Sequence, residues 1–315
     1  MERAIPFRRL IISLLFVLTG CKEFIEPSIQ DRKVNLLAPA ANTESIQYAQ
    51  SFWWEPVEDA LKYRLQVVSP NFTNTARLIL DTLITPNRFN FTLDPGNYEW
   101  RVRAENGSSQ TAYTTSNFII YASSIKDQQV QLQVPANNSV TASGSQTFSW
   151  LKLYGAEQYH LEIDTNNFAD EKVLFFDKTT PNLEYNVPLT RDKIYQWRVK
   201  ALNDTAESKW SAIQNVTFDS TPPAQVTLTT PATGVAATSP VTLRWDAAAT
   251  AARYQLVIYK SDQTTPYSSI FPVSLTTTSY TFTGVLGEKV YWQVRAIDAI
   301  GNVGAYSELR NFTVQ

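Results

Sequence analysis

The chain has 315 residues, of which 43% are hydrophobic and 12% aromatic, so it can build packed cores. Its 27 basic and 29 acidic residues nearly cancel, which argues against a nucleic-acid partner. With one Cys, one Met and one His, the chain lacks the residues for a Cys/His metal site, a His-activated nucleophile or a disulfide. We therefore expect no cofactor, no metal site and no enzymatic activity.

The first twenty residues have the composition of an export signal. Arg3, Arg8 and Arg9 precede an apolar run from Leu10 to Leu18, and small residues follow. This run is far shorter than the roughly 20 residues with which a helix crosses a bilayer. We predict a cleaved signal peptide over residues 1–20 and no permanent transmembrane helix.

Leu18-Thr19-Gly20-Cys21 follows and resembles the lipobox of bacterial lipoproteins. The resemblance implies cleavage before Cys21 and acylation of its thiol, which would make the membrane a partner through the N-terminal lipid. Cys21-Lys22-Glu23 lacks the Asp that retains lipoproteins at the inner membrane, and it partly resembles a surface-export signal. We expect a lipid-anchored protein of the outer membrane, exposed at the cell surface, with residues 21–34 as a flexible tether.

The rest of the chain repeats itself at a pitch of about 95 residues. Each copy contains a first tryptophan that is followed nine residues later by a tyrosine: Trp54 and Tyr63, Trp150 and Tyr159, Trp245 and Tyr254. A second tryptophan follows the first after 46 or 47 residues: Trp100, Trp197, Trp292. The repeat predicts three domains of one type, over residues 35–122, 130–219 and 222–315, with a polar linker at 123–129.

Around these anchors apolar and polar residues alternate, which is typical of half-buried strands. Tyr63-x-Leu65-x-Val67 predicts the third strand of a copy, and Trp100-x-Val102-x-Ala104 predicts the sixth. About seven short strands in 95 residues favour a two-sheet sandwich. The pattern resembles fibronectin type III domains. The predicted fold is therefore all-β: three tandem antiparallel β-sandwiches of the fibronectin type III or immunoglobulin-like type.

Alternation also indicates which large apolar side chains face outward, where they can mark contact sites. In the third copy the outward positions of the third and sixth strands include Val257, Tyr259 and Tyr291. The resemblance implies that these strands are neighbours, so the three residues would share one face. Trp53 is predicted to point outward in the first copy. These four residues are the candidate ligand contacts.

Two other groups of residues have simpler interpretations. His160 is expected to be a solvated surface histidine, because it alternates with the core residues Tyr159 and Leu161. The loop with Asp164, Asn166, Asn167 and Asp170 offers oxygen ligands but lacks the ordered spacing of a calcium loop. We assign neither group a metal.

The function that follows is non-enzymatic: a lipid-anchored envelope protein that binds or displays at the cell surface, with its last domain contacting a glycan or an envelope protein. One alternative is an accessory glycan-capture lipoprotein of a polysaccharide-uptake system. The other is a passive periplasmic scaffold. Because fold alone does not fix function, the sequence leaves these open.

Overall fold

The structure is a computed structural model and describes residues 26–315. This part of the chain is built from strands, with one short 3-10 helix, Ile125–Asp127. The predicted alternation appears directly in the burial of the strands, as in Lys62–Pro70, where Tyr63, Leu65 and Val67 are buried between half-buried neighbours. The all-β prediction is confirmed. No helix in residues 26–315 has the length and apolar character to cross a membrane.

The first sandwich has a three-stranded sheet of order β1-β3-β6 and a five-stranded sheet of order β2-β8-β7-β4-β5. Its strands are β1 (Leu36–Ala38), β2 (Thr43–Ser45), β3 (Ala49–Trp54), β4 (Lys62–Pro70), β5 (Thr75–Ile84), β6 (Arg88–Thr92), β7 (Gly96–Glu105) and β8 (Thr114–Ile120).

The second sandwich repeats this arrangement, with sheets of order β14-β11-β9 and β10-β16-β15-β12-β13. Its strands are β9 (Leu132–Val134), β10 (Ser139–Thr141), β11 (Ser145–Trp150), β12 (Gln158–Asp164), β13 (Phe176–Thr180), β14 (Glu184–Pro188), β15 (Lys193–Leu202) and β16 (Gln214–Phe218).

The third sandwich has sheets of order β17-β19-β22 and β18-β24-β23-β20-β21. Its strands are β17 (Leu228–Thr230), β18 (Val235–Ala237), β19 (Val241–Trp245), β20 (Ala251–Tyr259), β21 (Val273–Leu275), β22 (Ser279–Phe282), β23 (Lys289–Asp298) and β24 (Arg310–Val314). Pairs of long strands such as β4 with β7, β12 with β15 and β20 with β23 are antiparallel, as predicted. Two short strands differ from the prediction, because β10 pairs with β16, and β18 with β24, in parallel.

The repeated tryptophan and tyrosine form the centre of each core. Trp54 and Trp100 are fully buried with ring centroids 6.4 Å apart, and the equivalent rings of Trp245 and Trp292 are 6.5 Å apart. The tyrosine packs on the first tryptophan, and its hydroxyl accepts a hydrogen bond from a backbone N–H of the preceding loop. These pairs are Val57 to Tyr63 (2.9 Å), Leu153 to Tyr159 (2.9 Å) and Ala248 to Tyr254 (3.1 Å).

The segment before the first sandwich differs from the predicted free tether. Ile29 and Val34 are fully buried, and the Ile29 N–H donates to Ser109 Oγ at 2.8 Å. Arg32 pairs with Asp59 at 2.8 Å. From residue 26 to residue 34 the predicted flexible tether is therefore wrong, because two apolar side chains gain burial by packing against the sandwich.

The predicted polar linker at 123–129 is ordered. Gln128 is 1% exposed, and its Oε1 accepts from the Tyr48 N–H at 2.9 Å. Its Nε2 donates to the Ile46 carbonyl and to Ser123 Oγ. The chain divides into two compact units, and residues 45–50, 91–95 and 120–315 belong to the same one. The hydrogen bonds of Gln128 thus lie within that unit.

Candidate functional site

The predicted contact surface lies on the five-stranded sheet of the third sandwich. β20 and β23 are neighbours, as predicted, and Tyr259 is the direct cross-strand partner of Tyr291. Both side chains are half-buried, and the Gln293 amide donates to Tyr259 Oη at 3.2 Å. We call Tyr259 and Tyr291 the tyrosine pair. It presents two adjacent rings on a rigid sheet.

Val257 does not belong to this surface. It is 4% exposed, so the expectation that it faces solvent is wrong, although it lies outside the core cluster of the sandwich. Long side chains surround it on the same face: Tyr259 and Gln255 along its own strand, and its cross-strand partner Gln293. Gln255 also accepts from Arg295 Nε at 2.7 Å, which holds these side chains close together over the valine.

A cavity of about 360 Å³ opens at the end of the same face. We call it the corner cavity, and its lining is Lys260, Ser261, Tyr267, Gly287, Glu288, Lys289 and Val290. Lys289 belongs to both features, because its Nζ lies 5.4 Å from the ring centroid of Tyr291. The tyrosine pair and the corner cavity are therefore contiguous.

The acidic groups near the corner cavity are occupied by hydrogen bonds. Tyr267 Oη donates to Glu288 Oε2 at 2.7 Å, and burial together with this bond raises the pKa of Tyr267. Hydrogen bonds from Thr265 and Thr264 lower the pKa of Asp262 to about 2. Among the described ion pairs none involves Lys260 or Lys289. The cavity lining thus carries two ammonium groups and the Glu288 carboxylate, and the charge of Lys260 also helps to lower the pKa of Asp262.

Trp53 lies on β3 of the first sandwich and is 41% exposed, as predicted. The guanidinium of Arg88, on the neighbouring strand β6, lies 5.2 Å from the centroid of its ring. Trp53 is on a different sandwich from the tyrosine pair. Cys21, the predicted lipidation site, lies outside the described residues.

A further feature of the five-stranded sheets escaped the sequence prediction. In each copy a basic residue on the strand of the second tryptophan (β7, β15 or β23) lies over an aromatic ring ten or eleven residues later in the chain. The pairs are Arg103 over Tyr113 (4.9 Å), Lys200 over Trp210 (4.8 Å) and Arg295 over Tyr306 (4.5 Å). The recurrence of this basic residue after Val102, Val199 and Val294 was a signal in the sequence that could have revealed it.

On the same outer face of the second sandwich, Glu162 is at the position of Val257 and Arg198 at that of Gln293. Glu162 and Arg198 are buried and hydrogen-bonded at 2.8 Å. His160 points to this outer face, but only 19% of its side chain is exposed, and Nε2 lies 2.7 Å from Asp177 Oδ1. The expected solvated histidine is therefore wrong, since the Asp177 carboxylate and the Trp210 ring, whose centroid is 5.3 Å away, cover it.

The acidic loop after β12 is closed by its own backbone. Asp164 is buried and its Oδ2 accepts from the N–H groups of Asn166 and Phe168 at 3.1 and 2.6 Å. Asp298 plays the same part in the third sandwich, where Oδ1 accepts from the N–H groups of Ile300, Gly301 and Asn302. These carboxylates stabilise turns.

No protein-family model and no curated protein matches the chain. Among solved structures, it is similar to the FN1–FN3 domains of chicken CNTN1, with 15% identity, a TM-score of 0.38, and coverage of 90% of this chain and 97% of that one. It is also similar to the fibronectin(III)-like modules of Clostridium thermocellum CbhA, with 16% identity, a TM-score of 0.35, and coverage of 59% and 92%.

These likenesses are distant, and the assignment of the fold rests on the strand order of the chain itself. In every copy the strand that ends at the first tryptophan lies in the three-stranded sheet, and the strands of the repeated tyrosine and of the second tryptophan pair in the other sheet. The fold is fibronectin type III-like.

Proposed function

We propose that this chain is a lipid-anchored envelope protein that binds a partner at the cell surface through its third sandwich, without catalysis. The anchor rests on the sequence alone, on Leu18-Thr19-Gly20-Cys21 after a signal-like segment. A fibronectin type III-like array fits a binding or scaffold role in general. What it binds has to be argued from the surface.

The observation that supports binding is that the tyrosine pair and the corner cavity adjoin each other, because Lys289 lines the cavity and lies over the Tyr291 ring. Flat aromatic rings on a rigid sheet lose little conformational freedom on contact and can stack on a sugar ring or anchor a protein interface. Lys260 and Lys289 add positive charge at the edge of the rings. The surface therefore suits a partner with acidic groups, either an acidic glycan or an acidic patch of an envelope protein.

The binding test uses the chain from residue 22, which keeps every residue that the structure describes. Immobilised neutral and acidic polysaccharides are offered to this chain and to the double variant Tyr259→Ala/Tyr291→Ala. We expect retention on an acidic glycan and at least a roughly tenfold loss of affinity in the double variant, as for interface hot spots. Trp53→Ala is the matched control, because it removes an exposed aromatic ring from another sandwich.

If no glycan retains the chain, crosslinking in intact cells asks whether Tyr259 and Tyr291 contact a protein. Retention that is equal in wild type and double variant would refute binding through the third sandwich. An accessory role in polysaccharide uptake is the related alternative, and it predicts preference for one polysaccharide. A passive periplasmic scaffold predicts protection from protease in intact cells, whereas surface display predicts cleavage.

A further inference from the structure

We propose that the outer face of the second sandwich binds one first-row transition-metal ion, of which zinc is the natural probe, through His160, Glu162 and Asp177. One ligand atom from each side chain lies within 4.8 Å of the others. The site is independent of the tyrosine pair. It also goes against the expectation of no metal, which considered sites rich in cysteine and histidine and a calcium loop after Asp164.

The strand register explains why the three side chains meet. His160 and Glu162 are two residues apart on β12 and so project from the same face of the sheet. Glu162 is the cross-strand partner of Asp177 on the edge strand β13. Three ligands on two paired strands form a rigid half-shell that is open to solvent on the side of Asp177, whose side chain is 59% exposed. Such a half-shell leaves room for water as a further ligand.

The distances suit a small cation. His160 Nε2 lies 2.7 Å from Asp177 Oδ1 and 3.7 Å from Glu162 Oε1. Ligand atoms about 2.0 to 2.1 Å from a tetrahedral zinc ion are about 3.3 Å apart, which lies between these two values. The ligand atoms of Glu162 and Asp177 lie within 4.8 Å of each other, and Asp177 is the exposed side chain that can move to open its present hydrogen bond around the ion.

The two carboxylate oxygens of Glu162 have different surroundings. Its side chain is only 8% exposed, and Oε2 accepts from Arg198 Nε at 2.8 Å. Among the described residues Oε1 has no hydrogen bond, and it faces His160. Oε1 is not one of the fully buried side-chain atoms without a partner, so an ion can reach it from solvent.

The charges of the network agree with a divalent ion. The ion-paired groups around Arg198 and His160 are Glu162, Glu171 and Asp177, so three carboxylates face one guanidinium when the imidazole is neutral. The remaining charge of minus two is what one divalent cation neutralises. Arg198 would then act as an outer partner that fixes the orientation of the Glu162 carboxylate, as hydrogen-bonded partners do around many metal ligands.

The test is calorimetric titration of zinc into the chain from residue 22, which also leaves out the Cys21 thiol as a competing ligand. We expect one ion per chain with micromolar affinity. His160→Ala and Asp177→Asn should each weaken binding at least about tenfold, since even outer-partner losses cost 10- to 100-fold. Glu184→Gln, a carboxylate removed from the opposite sheet of the same sandwich, should leave the affinity unchanged.

A second measurement guards against misfolded variants. The chain has one histidine, so its single imidazole gives one set of nitrogen resonances, and zinc at Nε2 has to shift them in the folded wild-type protein. Absence of a zinc titration, absence of an imidazole shift, or binding of equal strength in a folded His160→Ala variant would each overturn the proposal.

Discussion

At the scale of single residues, the tyrosine nine positions after each first tryptophan has a clear physical role. Its ring packs on the indole, and its hydroxyl accepts a backbone N–H of the loop between the two strands. An N–H buried in that loop without an acceptor would cost free energy. The spacing thus reflects one packing contact and one hydrogen bond, and the sequence could predict the contact but not the loop path that supplies the donor.

A tyrosine hydroxyl stabilises the turn that precedes β15 in the second sandwich, and a hydroxyl from another part of the chain replaces it in the third sandwich. In the second sandwich Tyr195 Oη donates to the Arg191 carbonyl at 2.9 Å and accepts from the Arg191 N–H at 3.2 Å. The third sandwich has Val290 at the equivalent position. There the hydroxyl comes from Tyr267 in the loop after β20, which accepts from the Val285 N–H at 3.3 Å and donates to Glu288.

We predict that Tyr267→Phe destabilises the third sandwich. The change removes the hydroxyl while the ring keeps its contact with Phe282, at 4.9 Å. The loss should be up to about 1 kcal/mol, the usual net contribution of a hydrogen bond. Denaturant unfolding measures it, and the matched control is Tyr280→Phe, whose hydroxyl has no hydrogen bond to a described residue. Equal stability of the two variants would contradict this role of the Tyr267 hydroxyl.

The errors made for single residues have a common physical origin. Alternation along a strand tells which face a side chain takes, and it placed Tyr259 and Tyr291 on the same face. It does not tell what covers that face. Val257 is buried by longer neighbours, and His160 is covered by Asp177 and Trp210, both of which come from elsewhere in the chain. Burial on an outer face is a tertiary property that strand periodicity does not contain.

At the scale of strands, the sequence predicted the principal strands of each copy. It also predicted that the strand of the tyrosine and the strand of the second tryptophan are neighbours, as β20 and β23 are in the third sandwich. It missed the short strands such as β10, which pairs in parallel with β16 at the sheet edge. Three residues are too few for a periodic pattern, and periodicity gives no strand direction. The sequence did not predict that basic side chains stack on Tyr113, Trp210 and Tyr306. These three aromatic residues lie outside the strands that carry the basic residues, and strand periodicity does not show such a contact.

We predict that Trp150→Ala unfolds the second sandwich. Trp150 is 1% exposed and packs on Tyr159 at 5.8 Å, so truncation leaves a large cavity and should cost about 3 to 5 kcal/mol. Hydrogen exchange resolved by strand is the measurement, with loss of protection expected in β11, β12 and β15.

The matched control for this change is Trp53→Ala. Trp53 is the same residue type at an outward position and is 41% exposed, so its loss should change the stability of the first sandwich little. Unchanged protection of β12 and β15 in the Trp150→Ala variant would show that the repeated tryptophan does not have the central role that its burial indicates.

At the scale of the whole molecule, connecting segments were harder to predict than domains. Residues 26–34 are mostly polar, which suggested a free tether, yet Ile29 and Val34 pack into the first sandwich. Residues 123–129 are polar as well, yet the side-chain amide of Gln128 forms hydrogen bonds with two backbone groups and one hydroxyl. Isolated apolar residues and a single amide have no periodicity, so composition alone suggested a flexible tether at residues 21–34 and a polar linker at residues 123–129.

The proposed placement of the molecule at a membrane depends on one side chain, Cys21. Acyl chains on its thiol would bind a bilayer with about 0.8 kcal/mol per buried methylene, and two or more chains give stable attachment. We predict that Cys21→Ala moves the protein from the membrane fraction to the soluble fraction of its cells. Lys22→Ala is the control, since it keeps the thiol and should remain with membranes. If the Cys21→Ala protein still sedimented with membranes, attachment would have to come from the rest of the chain, and the lipid anchor would be refuted.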